Sequence, residues 1–147
     1  MRYTKLVEHL YLAKLPTDKI QLLKSTKESA CFFAVKYTAD PGLIRQYGES
    51  LFAAGCYDFS VFGGKAKVWK DTLDQVQDGM NINALIGNFR AAKMYRTLDD
   101  FCRRIDMSLS MFPSAKKDCY LFYDDEPMMV RVVERLREIT GRYIWEG

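Results

Sequence analysis

The residues Ala30-Cys31-Phe32-Phe33-Ala34-Val35-Lys36-Tyr37 form a nearly unbroken apolar run of strand length. A strand with one wet face would alternate apolar and polar side chains, so this run fits a central strand covered on both faces. Asp40-Pro41 follows almost at once. Asp is a strong helix N-cap, and Pro suits the first helical position because the N–H it lacks has no intrahelical partner there. Leu43, Ile44, Tyr47 and Leu51 then recur at helical spacing, and Gly55 stands where a helix stops. A buried strand feeding a capped helix is the building unit of a parallel sheet.

The unit recurs along the chain. In Cys56-Tyr57-Asp58-Phe59-Ser60-Val61-Phe62, Tyr57, Phe59 and Val61 alternate with smaller or polar residues, which predicts a second strand. Gly63-Gly64 turns the chain, and Ala66, Trp69, Leu73 and Val76 mark one face of a helix ending near Gly79. Residues 80–96 are mostly loop chemistry (Asn81, Asn83, Gly87, Asn88), with Lys93-Met94-Tyr95-Arg96 as a short strand. Thr97-Leu98-Asp99-Asp100 reads as a capping box with Asp in place of Glu. Leu98, Phe101, Cys102, Ile105, Leu109 and Phe112 share the following helical face, which Pro113 ends. Asp118 to Tyr123 is another strand, and Asp124-Asp125-Glu126-Pro127 caps a last helix closed by Gly141. Residues 1–29 allow two readings: Leu6, Val7 and Leu10 suit a helix, while Leu10 to Leu15 suits a strand. Strand–helix units in series predict one domain over residues 1–147, with no internal repeat or linker. Its predicted class is α/β, a three-layer α/β/α sandwich around a mainly parallel sheet of four or five strands, Rossmann-like or flavodoxin-like in outline.

Composition narrows the function classes. A formal net charge of +3 is too small to argue for nucleic acid, although it leaves room for an anion-binding pocket. No apolar run approaches the roughly 20 residues that span a bilayer, and Arg2, Lys5, Glu8 and His9 interrupt any signal-peptide core. Cys31, Cys56, Cys102 and Cys119 are widely spaced and lack a Cys-x-x-Cys pair, so they read as buried thiols of a cytoplasmic protein, not a metal site. His9 is the only histidine, which argues against ordinary acid–base catalysis and against zinc. No P-loop, dinucleotide fingerprint or Gly-x-Ser-x-Gly elbow is present, so neither a cofactor nor a catalytic residue is assigned.

In an open parallel sheet, ligands bind outside the carboxyl ends of the strands. Three loops meet there: the one holding Asp40, the one holding Gly63, Gly64 and Lys65, and the one holding Asp124, with Arg96 in a fourth. Gly63-Gly64 would let the backbone approach an anion at a helix N-terminus, with Lys65 adding charge. Asp40, Asp124 and Asp125 would suit magnesium if they converged. The same residues also have a purely structural use, as a turn, a helix cap and acids placed against a helix dipole. Arg131, Arg135, Arg137 and Arg142 give the C-terminal third a basic trend, readable either as a solvated face paired with Glu134 and Glu138 or as a phosphate pocket.

Two Trp, nine Tyr and nine Phe make 14% of the chain aromatic. Trp69 has core spacing. Tyr3, Tyr11, Tyr95, Tyr143 and Trp145 lie in irregular or terminal segments and are candidate partner contacts, since Tyr and Trp are enriched at interfaces.

The stretches Gly55-Cys56, Val61-Phe62-Gly63, Val68-Trp69-Lys70-Asp71 with Asp74, and Met94-Tyr95-Arg96-Thr97-Leu98-Asp99-Asp100-Phe101 resemble, over roughly residues 30–125, an uncharacterised family of small bacterial α/β proteins. That family tends to carry Trp and His near its threonines, where this chain has Met94-Tyr95-Arg96-Thr97. The resemblance implies an α/β fold and a bacterial or phage origin, and it implies no activity. By analogy with small stand-alone domains of that kind, the leading expectation is a non-enzymatic protein of the immunity, adaptor or anti-defence type, acting through a protein partner or as a homodimer. The alternative is a binder of a nucleotide or other phosphorylated small molecule at the strand carboxyl ends. A magnesium-dependent phosphotransfer or hydrolytic enzyme comes third.

Overall fold

A computed structural model describes residues 1–23, 29–87, 89–111 and 118–141. The chain opens with a hairpin of β1 (Thr4–Val7) and β2 (Leu10–Lys14). The apolar run supplies β3 (Ala30–Ala34), followed by helix α1 (Pro41–Ala53). Next come β4 (Phe59–Phe62), α2 (Ala66–Gly79) and a single helical turn, α3 (Asn83–Ile86). β5 (Ala92–Tyr95), α4 (Leu98–Met111), β6 (Cys119–Tyr123) and α5 (Glu126–Ile139) complete the order.

Among the described residues, six strands form one sheet in the order β1-β2-β6-β3-β4-β5, parallel at every junction except β1 with β2. With helices on both sides, this is the expected three-layer α/β sandwich. The strand count corrects the expected four or five. The excess lies in the N-terminal segment, where His9 takes a positive φ of 68° and reverses the chain, so Leu6, Val7 and Leu10 are buried in a hairpin and not on a helix. Strands of four and five residues are too short to declare themselves by alternation. β3 also stops earlier than its apolar run, leaving Lys36 and Tyr37 exposed in the loop beyond it.

Strand periodicity divides the core cleanly. Cys31, Phe33 and Val35 enter one hydrophobic cluster with Tyr47 and Leu51 of α1 and Trp69 and Leu73 of α2. Ala30, Phe32 and Ala34 enter the other, with Phe101 and Ile105 of α4 and Val132 and Leu136 of α5. Successive side chains of a strand point to opposite faces, so the unbroken apolar run feeds both layers. Right-handed crossovers explain the allocation of helices. The chain crosses from β3 to β4 to β5 in one direction under α1 and α2, then returns to β6 in the other under α4. All four cysteines are buried and joined in no disulfide. Burial first, then the negative charge of Asp99, pushes the Cys102 thiol up to about 12. Among the described residues, no helix is long and apolar enough to cross a membrane.

The caps follow the local sequence. Asp40 caps α1 by accepting from the Gly42 N–H at 3.0 Å, with Pro41 opening the helix. Thr97 Oγ1 accepts from the Asp100 N–H at 3.1 Å, and Asp125 caps α5 by accepting from the Met128 N–H at 2.9 Å.

Candidate functional site

β3, β4, β5 and β6 run parallel, so their carboxyl ends share one edge of the sheet. Where neighbouring strands send their chains to helices on opposite faces, the loops part and leave a crevice. That happens twice here. β3 leads to α1 on one face while β6 leads to α5 on the other. β4 leads to α2 while β5 leads to α4.

The first crevice is closed by the protein itself. The Asp124 carboxylate, at the end of β6, accepts the backbone N–H groups of Lys36 at 2.7 Å, Tyr37 at 2.9 Å and Thr38 at 2.7 Å. Three successive amides converging on one anion make the kind of nest that holds phosphate in other folds. The same loop is fastened from the other side, because the Trp69 indole N–H donates to the Thr38 carbonyl at 2.8 Å.

The second crevice is open, with a volume of about 550 Å³. Gly63 and Gly64 form one wall, ahead of an α2 N-terminus that has no side-chain cap. Met94, Tyr95 and Arg96 form the wall from β5 and its loop, and Lys36 enters from the end of β3. Met128 and Arg131, three apart and so on one face of α5, close the far side. Lys36, Arg96 and Arg131 are exposed, and among the described residues no carboxylate lies within ion-pair distance of any of them. Other arginines are spent on pairing. Arg135 reaches Asp99 at 2.6 Å and Glu138 at 2.7 Å, Arg104 reaches Asp58 at 3.1 Å, and Arg90 reaches Asp78 at 2.8 Å. Hydrogen bonding from Arg135 holds the Asp99 carboxyl below its ordinary range. The C-terminal basic series is therefore split: Arg135 ties α5 to α4, while Arg131 is turned to the cleft.

The two glycines differ. Gly63 has φ +113°, and a Cβ there would sit 2.3 Å from the Val35 carbonyl oxygen. A Cβ on Gly64 would meet nothing within 4 Å. Gly63 is required by the fold, whereas Gly64 leaves its backbone open to the cleft.

The candidate residues thus separate. Gly63, Gly64 and Arg96 line the cleft together, whereas Asp40 and Lys65 do not. Asp40 is occupied as a helix cap, and Lys65 is exposed at the N-cap position of α2, its N–H bonded to the Val35 carbonyl at 3.1 Å. Asp124 fills the neighbouring crevice. Asp40 and Asp124 are both committed to backbone N–H groups, and among the described residues no group of three or more His, Cys, Asp or Glu side chains is placed to hold a metal ion. The sequence reading passed over Lys36, which closes an apolar run, and Met128. The charge two residues beyond β3 was the available signal, since it marks the carboxyl side of a central strand.

Three of the five aromatic candidates, Tyr3, Tyr11 and Tyr95, pack against the edges of the core. Tyr3 packs edge-on to Tyr120 with ring centres 5.4 Å apart, and its hydroxyl donates to the Gln21 carbonyl at 2.8 Å. Tyr11 stacks on Tyr120 at 5.7 Å, and Tyr95 leans on Phe101 at 6.4 Å while lining the cleft. All three are half-buried. Tyr143 and Trp145 lie outside the described residues. His9 sits at the amino ends of the strands, remote from the cleft, with Nδ1 3.1 Å from Asp118 Oδ1. No protein-family model and no curated protein matches this chain.

Proposed function

We propose that the chain binds a small phosphorylated molecule, a nucleotide or a phosphate ester of similar size, in the cleft between β4 and β5. The observation that carries this reading is the convergence of Lys36, Arg96 and Arg131, delivered by three separate segments and ion-paired to no carboxylate among the described residues, on an open cavity flanked by Gly64. The volume of about 550 Å³ exceeds what a bare phosphate needs and falls in the usual range for small-ligand pockets. Met94, Tyr95, Phe62 and Met128 supply the apolar surface for an organic group. Guanidinium and ammonium groups supply charge-assisted hydrogen bonds to phosphate oxygens.

Thermal-shift screening with AMP, ADP, cyclic nucleotides and pyrophosphate, followed by calorimetry, tests the reading. A ligand at about 100 times its Kd stabilises the native state by about 2.7 kcal/mol. Arg131→Ala and Arg96→Ala are each expected to weaken binding about three- to tenfold, as expected for the loss of one charged contact. Gly64→Val is expected to block binding while leaving the fold intact, since its side chain would enter the open space. Failure of every anionic ligand to stabilise the chain counts against the cleft as a binding site.

A second reading, association with a protein partner or another copy, is favoured by a different observation. Leu85 is 68% and Phe89 80% exposed, and Met80, in the same short stretch of chain, is 39% exposed. Exposed apolar groups gathered in one region often mark an interaction site. Light scattering on the wild type is then expected to show a dimer that Leu85→Ser/Phe89→Ser dissolves. A wild type that is monomeric throughout its soluble range argues against self-association.

A further inference from the structure

We propose that Asp124 is a positioning residue for the cleft: it holds Lys36 in place opposite Arg131, without itself touching ligand. The inference rests on the reading that the cleft binds a phosphorylated molecule. Lys36 is the first residue of the nest that Asp124 fills, bonded through its N–H at 2.7 Å. Lys36 also lines the open crevice next door, with its ammonium over the Tyr37 ring, 5.3 Å from the ring centre. Asp124 directly precedes Asp125, which caps α5 through the Met128 N–H at 2.9 Å and accepts the Met129 N–H at its carbonyl at 3.0 Å. Met128 and Arg131 on that helix form the far wall. One carboxylate therefore couples the loop carrying Lys36 to the helix carrying Arg131.

The chemistry of the bond makes the coupling stiff. A carboxylate accepting amide N–H groups forms charge-assisted bonds, stronger than neutral ones. Three of them, at 2.7, 2.9 and 2.7 Å, fix three consecutive peptide planes. A crevice of this topological type takes an external anion in other parallel sheets. Here an internal one occupies it permanently, so the ligand is left to the second crevice and meets a prearranged Lys36. A preordered cation costs less conformational entropy on binding than a mobile one.

The test is a double-mutant cycle on Lys36 and Asp124, with AMP and pyrophosphate as probes and affinity read by calorimetry. Lys36→Ala is expected to weaken binding about tenfold. Asp124→Asn keeps the size of the side chain but turns an amide NH₂ toward N–H donors, and it is expected to cost about as much. In the Lys36→Ala background, Asp124→Asn is expected to change affinity by less than about twofold, because its effect passes through Lys36. Amide exchange at Lys36, Tyr37 and Thr38 is expected to accelerate in Asp124→Asn while α2 and β4 stay protected, which shows the loop freed in a folded chain. Full additivity of the two substitutions, or wild-type affinity in Asp124→Asn, overturns the positioning role and leaves the cleft standing. A wild type that binds neither probe nor any other phosphorylated compound overturns the cleft, and the positioning role with it.

Discussion

A Gly63→Ala variant is expected to lose about 3–5 kcal/mol of stability, far more than an exposed turn residue ordinarily would. Two separate terms add. The φ of +113° at Gly63 lies where L side chains are strained, a cost of about 1–3 kcal/mol. The new Cβ would also lie 2.3 Å from the Val35 carbonyl oxygen and 3.0 Å from its carbon. Val35 has little room to withdraw. It is fully buried, its N–H donates to the Phe62 carbonyl at 2.8 Å, and its carbonyl accepts from the Lys65 N–H at 3.1 Å. Relief therefore requires breaking the register between the ends of β3 and β4. Urea unfolding with an unchanged m-value and a lowered midpoint measures the loss. Gly64→Ala is the internal control, expected within about 0.5 kcal/mol of wild type because its Cβ meets open space. Equal effects at the two positions contradict the close approach at Gly63.

The contrast between these glycines shows what a sequence carries and what it does not. Gly63-Gly64 reads as a turn from local chemistry alone. Which glycine is obligatory depends on the carbonyl of Val35, brought alongside only when β3 and β4 pair. The same division holds elsewhere. Asp40-Pro41 capping α1 and Asp125 capping α5 were legible, because a cap is made within a few residues of itself. The two-faced burial of β3 was legible, because a central parallel strand writes itself as an unbroken apolar run. The N-terminal hairpin was not, since its strands are short and it joins the sheet only where β2 pairs with β6, at the other end of the chain. Tyr3 and Tyr11 looked unassigned for that reason, as the ring they pack on is Tyr120. At the site, the strand carboxyl ends, Gly64 and Arg96 could be chosen in advance. The roles of Asp124 and Lys36 could not, because an acidic residue beside a helix cap looks the same whether it faces solvent, metal or three amides of a distant loop.

Trp69→Ala is expected to cost about 4–5 kcal/mol and to bring the chain close to its unfolding threshold, given that domains of this size hold about 5–15 kcal/mol. Trp69 is fully buried where α2 meets the sheet. Its ring centre lies 4.6 Å from that of Phe33 and 6.1 Å from that of Tyr47. Phe33 in turn stacks on Phe122 at 5.2 Å, so the indole lies within a row of rings that runs from Tyr47 of α1 across β3 to β6. Truncation leaves a cavity under a rigid parallel sheet that cannot collapse to fill it, the condition under which large-to-small substitutions cost most. It also deprives the Thr38 carbonyl of its indole donor at 2.8 Å, which adds about 1 kcal/mol. Trp69→Phe separates the two contributions, because it keeps most of the ring volume and removes the donor. That variant is expected to lose about 1–2 kcal/mol in urea titrations. Its affinity for AMP is expected to stay within about threefold of wild type, since the three amide bonds to Asp124 still hold the loop. A Trp69→Ala chain that unfolds within about 1 kcal/mol of wild type would mean that the ring row does not anchor α2, and the wall of the cleft that begins at Gly64 would then need another support.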